Sequence, residues 1–162
     1  MKTIVVYYSL EGNSKYVADE IAKKLGADTL RLESKKAYPT GTMSKYFWGG
    51  KDVVMGETPE LLPYQFHKKD YDVIILGTPV WAGRYAPPIK TFLKENDLKD
   101  KKIGLFACSA SGNAEKCLQA IKQTIETQEN TPFLSLTNPA KTLSQEDKQS
   151  IEKFCSEIES SL

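Results

Sequence analysis

The sequence predicts an α/β fold in which a parallel sheet carries helices on both faces. Three apolar runs, at residues 4–8, 73–77 and 102–108, have almost no polar positions, which is typical of strands buried on both sides. Strand-like and helix-like segments alternate about five times along the chain. Because crossovers between parallel strands are right-handed, this alternation predicts a three-layer, doubly wound sandwich with a five-stranded parallel sheet.

The first half of the chain begins with the strand at 4–8 and a short polar turn at 9–14. A helix is predicted next, because apolar residues recur every four positions at Val17, Ile21 and Leu25. Gly26 can take the left-handed conformation that ends a helix. Residues 28–33 then alternate polar and apolar, which predicts a strand near the edge of the sheet.

Residues 34–69 form a long, aromatic-rich excursion. Its aromatic residues are Tyr38, Tyr46, Phe47, Trp48, Tyr64 and Phe66. A structureless link of this length is unusual in a compact domain, so we expect an ordered cover, with a short helix at 44–55. Packing of these rings against the core is favoured over contact with a ligand.

The second half repeats the strand-loop-helix pattern. The strand at 73–77 leads to a loop at 78–85, and Pro87 and Pro88 suit the first turn of the next helix. The strand at 102–108 leads to a second loop of small residues at 109–113, followed by another helix. A weaker strand at 133–136 comes next. Ser144, with Asp147 three residues later, resembles the cap of a final helix.

Composition limits the classes of function. A chain of 162 residues suits a single domain over 1–162, and 22 basic against 21 acidic residues give no charge excess for binding nucleic acid. Three cysteines without paired spacing favour a reduced, cytoplasmic protein with core thiols at Cys117 and Cys155. We expect neither a signal peptide nor a membrane span. A single histidine, His67, argues against a histidine metal site, and no serine hydrolase motif is present.

Three loops leave the carboxyl ends of predicted strands, at 9–14, 78–85 and 109–113. In doubly wound sheets this edge is where a ligand binds, so we expect one site to use all three loops. Free backbone N–H groups and hydroxyls in the first loop favour a phosphate, although Ser9, Asn13 and Ser14 could instead only cap the helix. The dinucleotide and triphosphate glycine motifs are both missing.

In combination, the three loops resemble those of the flavodoxin family in its short-chain form. The first, Tyr8-Ser9-Leu10-Glu11-Gly12-Asn13-Ser14, is similar to the loop that binds the FMN phosphate. The second and third are similar to the two flavin loops: Gly77-Thr78-Pro79-Val80-Trp81-Ala82-Gly83 and Ser109-Ala110-Ser111-Gly112-Asn113. The aromatic stretch at 46–50 is similar to a subgroup with an extended second crossover.

The resemblance implies a strand order of 2-1-3-4-5, FMN as cofactor and a role for each loop. In the first loop, Leu10 and Glu11 would lie at the cofactor while four residues donate to its phosphate: Ser9, Gly12, Asn13 and Ser14. Glu11 stands where the family usually has threonine. Trp81, which looks exposed, would stack on the flavin ring, with Pro79, Val80, Ala82 and Gly83 along its edge and Thr78 also at the cofactor. The alternative for Trp81 is a buried anchor of the loop, and stacking is favoured over it. The third loop, Ser109, Ala110, Ser111, Gly112 and Asn113, would face the ribityl chain or the pyrimidine side.

Three functions stay open on the sequence. The first is an FMN-binding electron carrier that serves redox partner proteins or a small electron acceptor, with no catalytic side chain and no metal. The second is an FMN-dependent NAD(P)H or quinone oxidoreductase, suggested by the aromatic segment at 38–66 and the neutral charge. The third is a binding domain of the same fold whose cofactor site has been lost, with Glu11 as the sign of that loss.

Overall fold

The computed structural model describes residues 1–38, 56–112, 114–126, 130–139 and 143–160. The strands in these residues are β1 (Thr3–Tyr7), β2 (Asp28–Arg31), β3 (Val73–Trp81), β4 (Arg84–Tyr85), β5 (Lys102–Ser109) and β6 (Phe133–Thr137). The α-helices are α1 (Asn13–Leu25), α2 (Pro87–Glu95), α3 (Glu115–Ile125) and α4 (Gln145–Ser160). The helix predicted at 44–55 lies outside the described residues, as do Tyr46, Phe47 and Trp48.

The sheet has the order β2-β1-β3-β5-β6, and all these neighbours are parallel. The short strand β4 pairs antiparallel with the end of β3 and stands off this path. With β4 set aside, the order is the predicted 2-1-3-4-5, so the α/β fold class is confirmed. The alternating segment after Gly26 forms an edge strand, also as predicted.

The buried strands divide their side chains between two apolar layers, which is why their sequences lack a polar face. Ile4 and Val6 of β1 point into one layer, and Val5 and Tyr7 point into the other. The first layer is completed by α2 and α3, and the second by α1 and α4. The core therefore lies on both faces of the sheet, in three layers of secondary structure.

Local signals place the helix ends where the sequence predicts them. Gly26 follows α1 with φ +61°. Helix α2 begins at Pro87, so both prolines lie in its first turn. At the start of α4, the Ser144 hydroxyl accepts the Asp147 N–H at 3.0 Å, and the Asp147 carboxylate accepts the Ser144 N–H at 2.9 Å. Asp147 thus completes a reciprocal cap in place of the usual glutamate.

The described part of the aromatic segment packs against the body. The Tyr64 and Phe66 rings lie 5.8 and 5.1 Å from the ring of Phe92 on α2. Tyr38 is buried, and Leu61 is buried beside an antiparallel bridge to Ser34. Core packing of the rings is confirmed for Tyr38, Tyr64 and Phe66.

The prediction that residues 78–85 form a loop is wrong. Strand β3 continues to Trp81, turns at Ala82 and Gly83, and pairs with β4 as a hairpin. Ala82 and Gly83 have φ +49° and +74°, the pattern of a two-residue turn that matches strand twist. Alanine rarely adopts positive φ, so the sequence carries only a weak signal for this turn.

A close contact between β3 and β5 leads to the first prediction. A Cβ added to Gly77 would lie 2.0 Å from the Phe106 ring, whereas one added to Gly104 would lie 2.5 Å from the flexible tip of Ile158 and 3.1 Å from the Phe154 ring. We expect Gly77→Ala to lower the free energy of unfolding by about 1–3 kcal/mol, because an aromatic ring in a packed layer cannot move aside cheaply. Urea denaturation measures this change.

Gly104→Ala, the same change in the adjacent strand, is the control and is expected to cost less. Shortening the opposing ring in Gly77→Ala/Phe106→Leu should recover part of the loss. A Gly77→Ala protein as stable as the parent would contradict the argument.

Candidate functional site

A cleft opens at the carboxyl edge of the sheet, above β1, β3 and β5. About 400 Å³ of space lies between its walls, including the open mouth. Its lining comprises Ser9, Leu10, Glu11, Asn13, Ser14, Pro79, Val80, Trp81, Cys108, Ser109, Ala110 and Asn138.

The first loop turns the chain from β1 into α1. Gly12 has φ +101° and immediately precedes the helix, and its N–H donates to the Ser9 hydroxyl oxygen at 3.2 Å. Because Ser9 Oγ accepts this bond, its own proton can be donated elsewhere. The N-cap residue of α1 is Gly12, which has no side chain to cap the helix, so both interpretations of Ser9, Asn13 and Ser14, capping and phosphate binding, stay predictions.

Ser14 supplies a buried hydroxyl beside this loop. It is 1% exposed, and its Oγ has no hydrogen-bond partner among the described residues. The Cys108 thiol lies near it: burial raises the pKa of that thiol to about 12, and its contact with Ser14 opposes the rise. A thiol is a weak hydrogen-bond partner, so the Ser14 hydroxyl still lacks a strong one among the described residues. An unpartnered buried hydroxyl is expensive, so its position at the cleft points to a ligand.

The third loop repeats the turn of the first. The Gly112 N–H donates to the Ser109 hydroxyl oxygen at 2.8 Å, and Gly112 has φ +78°. Ser109 is buried at the end of β5, as Ser9 is at the end of β1. The cleft thus has a serine-to-glycine turn on each side of β3. Asn113 lies outside the described residues.

The hairpin forms the apolar wall of the cleft. Pro79, Val80 and Trp81 line it. Thr78 turns inward instead: it is fully buried, its Oγ1 accepts the Ala86 N–H at 2.9 Å, and its hydroxyl donates to the Pro79 carbonyl at 2.9 Å. Thr78 therefore holds the base of the hairpin.

Trp81 is buried rather than exposed, so the expected exposure is wrong. Its side chain is 3% exposed and packs edge-on against the Tyr8 and Tyr38 rings, at centroid distances of 5.7 and 5.1 Å. The strand pairing of Trp81 with Arg84 fixes its backbone, and the two tyrosines fix its ring. Stacking of Trp81 on a flavin stays a prediction.

Two residues next to the cleft could not be predicted from the sequences of the three loops. Arg31, at the end of β2, donates from its guanidinium to the Ser9 carbonyl at 3.0 Å. Asn138 follows β6, lines the cleft and donates from its side chain to the Ala110 carbonyl at 3.3 Å. Both residues follow from the sheet order, because β2 and β6 end at the same edge as the other parallel strands.

The structure brings most of the predicted site together. The predicted residues that line the cleft are Ser9, Leu10, Glu11, Asn13, Ser14, Pro79, Val80, Trp81, Ser109 and Ala110. Gly12, Ala82, Gly83, Ser111 and Gly112 shape the turns around it and are absent from its lining. Among the described residues no cluster of acidic, cysteine or histidine side chains could hold a metal ion. Their helices also include none with the length and apolar character required to cross a bilayer.

The fold is that of a doubly wound α/β protein, and its cleft lies where the strand order reverses, at the ends of β1 and β3, which is where such sheets bind ligands. The family model for flavodoxin matches residues 2–146, which is most of the chain. This chain belongs to the flavodoxin family.

Solved structures agree on the fold. A flavoprotein in complex with FMN from Lactobacillus acidophilus NCFM is 23% identical, with coverage of 84% of this chain and 91% of that chain and a TM-score of 0.67. A protein from Bacteroides eggerthii DSM 20697 is 21% identical over 97% of both chains, with a TM-score of 0.75. Oxidised Flavodoxin 1 from Bacillus cereus is 19% identical, with coverage of 100% and 99% and a TM-score of 0.62.

The inward-facing Thr78 hydroxyl leads to the second prediction. Thr78→Val keeps the volume but leaves the buried Ala86 N–H without its acceptor. We expect a loss of about 1–3 kcal/mol in the free energy of unfolding, measured by urea denaturation. Thr78→Ser retains the oxygen and should stay close to the parent. If valine and serine gave equal stabilities, Thr78 would not hold the hairpin.

Proposed function

We propose that this protein binds FMN in the cleft and acts as an electron carrier. Membership of the flavodoxin family supports FMN as the cofactor, and one of the similar structures holds FMN. The phosphate would lie at the first loop and the ring along the hairpin. The observation that carries this assignment is the buried, unpartnered Ser14 hydroxyl at the N-terminus of α1.

The first loop fits a phosphate by its chemistry. The N-terminus of α1 offers backbone N–H groups and the positive end of the helix dipole. The Ser9 hydroxyl can donate its proton, because its oxygen already accepts the Gly12 N–H. The Ser14 hydroxyl would gain the partner that it lacks among the described residues. Ser9 and Ser14 both line the cleft, so their hydroxyls border the same space.

The remaining walls fit a flat, largely apolar ring. Pro79, Val80 and Trp81 supply apolar surface on one side, and the backbone of Ser109 and Ala110 approaches from the other. Small residues in the third loop let a planar group come close to the main chain. Trp81 would contact the ring at the wall that the Tyr8 and Tyr38 rings hold in place.

Bound FMN would supply the one- or two-electron chemistry, and the protein would supply binding, orientation and tuning. Burial of Trp81 and the apolar hairpin keeps water from one side of the cleft and lowers the local dielectric. Burial also raises the pKa of Cys108 to about 12, so this lining thiol stays protonated and is a poor nucleophile at neutral pH. A carrier requires no acid, base or nucleophile of its own.

An FMN-dependent NAD(P)H or quinone oxidoreductase is the second candidate. The observation in its favour is Tyr38, which belongs to the aromatic segment and reaches the wall of the cleft through Trp81 at 5.1 Å. That contact would allow the segment to shape a second binding place over the cofactor. Carrier and oxidoreductase differ in whether the protein alone turns over reduced nicotinamide.

The third prediction concerns Ser14. Ser14→Ala should weaken FMN binding by about tenfold or more, because a hydrogen bond to a charged group contributes about 1.5–3 kcal/mol. The free energy of unfolding without FMN should not fall, since the deleted hydroxyl makes no hydrogen bond with the described residues. Titration of the apoprotein with FMN, followed by flavin fluorescence, measures the first quantity, and urea denaturation the second.

Ser135→Ala, an exposed serine on β6, is the matched control and should change neither quantity. A Ser14→Ala protein that binds FMN as tightly as the parent would remove the observation on which the phosphate position rests. A parent protein that retains no flavin absorption after incubation with FMN and removal of the excess would overturn the cofactor assignment.

The fourth prediction separates carrier from oxidoreductase. The FMN-loaded protein alone should show no sustained NADH or NADPH oxidation in the presence of a soluble quinone, followed at the nicotinamide absorption band. Chemical reduction and reoxidation of the same sample should remain reversible, which shows that the flavin is competent. Multiple turnovers with either nicotinamide would assign the protein to the oxidoreductases.

A further inference from the structure

Arg31 connects the edge strand β2 to the first loop. It pairs with Tyr7 at the last position of the β1–β2 ladder, so its side chain starts at the carboxyl edge of the sheet. Its guanidinium donates to the Ser9 carbonyl oxygen at 3.0 Å, across 22 residues of sequence. The loop that precedes α1 is therefore in direct contact with a cation from a different strand.

The charge of Arg31 acts on the loop and on both elements that flank it. Burial raises the pKa of the Tyr8 hydroxyl, and the guanidinium opposes that rise. The hydrogen bond to Asp19 raises the pKa of Lys15, in the first turn of α1, and the guanidinium opposes that rise as well. Lys15 forms an ion pair with Asp19, four residues further along the helix. The charge of Lys15 is thus paired with Asp19, whereas the Arg31 guanidinium contacts the loop at Ser9.

The loop also contains an acidic side chain, which makes a nearby cation more important. Glu11 lines the cleft between Ser9 and Asn13. A carboxylate there disfavours a second anion by like-charge repulsion. The Arg31 guanidinium brings a positive charge to the same loop and occupies the Ser9 carbonyl oxygen, which would itself repel a phosphate.

We infer that Arg31 makes the first loop select phosphorylated flavin over its unphosphorylated form. This inference rests on the proposed FMN function and deepens it. Arg31 is a positioning and specificity residue: it holds the loop through the Ser9 carbonyl and places beside it a positive charge, which favours a phosphate dianion over an uncharged hydroxyl. Riboflavin shares the ring and the ribityl chain with FMN but lacks the phosphate. Its affinity therefore measures every contact of the flavin except those made by the phosphate.

The fifth prediction follows from removal of the charge. Arg31→Gln keeps a donor for the Ser9 carbonyl but removes the charge, and Arg31→Lys keeps the charge. We expect Arg31→Gln to weaken FMN binding about five- to tenfold and to change riboflavin binding by less than about twofold. Arg31→Lys should retain most of the preference for FMN. Apoprotein titrations with each flavin, followed by fluorescence, measure both affinities.

Lys2→Gln is the matched control for net charge. Lys2 lies at the other end of β1, in an exposed ion pair with Asp28 at 3.7 Å, and its replacement should leave the ratio of FMN to riboflavin affinity unchanged. In the parent protein this ratio should fall between about 50 and 500 mM salt, because salt screens the interaction. It should fall less in Arg31→Gln. Urea denaturation verifies that each variant is folded.

Each contrary outcome has a distinct meaning. Equal weakening of both flavins in Arg31→Gln would show that Arg31 only braces the loop, and it would overturn the inference. An unchanged FMN affinity in that variant, or a parent affinity ratio that is insensitive to salt, would overturn it as well while leaving the proposed function intact. A parent protein that binds neither flavin would overturn both the inference and the function.

Discussion

The end of β1 is the constraint on which the site depends. The strand order reverses there: β2 lies on one side of β1 and β3 on the other, and both run parallel to it. The chain leaves β1 for a helix on one face, whereas β3 continues as a hairpin toward a helix on the opposite face. A crevice between them is a necessary result of this topology. Gly12, with φ +101°, lets the chain turn into α1 directly at that crevice.

The turns from Ser9 to Gly12 and from Ser109 to Gly112 contain the same hydrogen bond. A strand buried on both faces has to end in a turn whose backbone polar groups are still satisfied. In each turn the serine hydroxyl oxygen accepts the N–H of the glycine three residues later, at 3.2 Å for Ser9 and 2.8 Å for Ser109. Each hydroxyl proton then remains available to a second acceptor. The turns therefore stabilise the strand ends and line the cleft with donors at the same time.

The sequence predicts the strands well because burial on both faces removes every polar position, as at 4–8, and few other structures tolerate such a run. It predicts the hairpin poorly, since the turn places Ala82 at a positive φ that alanine rarely adopts. The contact of Arg31 with Ser9 could not be found by local pattern either. It results from pairing of β1 with β2, and only the strand register brings residues 22 positions apart together. Asn138 is similar, because its place at the cleft depends on where β6 joins the sheet.

The hairpin also makes one end of the cleft apolar and leaves the other end polar. By extending β3 beyond the sheet, it carries Trp81 into the apolar layer, where the rings of Tyr8 and Tyr38 surround it. One end of the cleft is consequently an apolar wall, and the other holds the Ser9 and Ser14 hydroxyls, in a loop that the Arg31 guanidinium contacts. A purely apolar ligand would leave the Ser14 hydroxyl without a partner, and a free anion would leave the apolar wall unused. A ligand with a flat ring at one end and a phosphate at the other would satisfy both ends, and this is the physical basis of the proposal that FMN binds here.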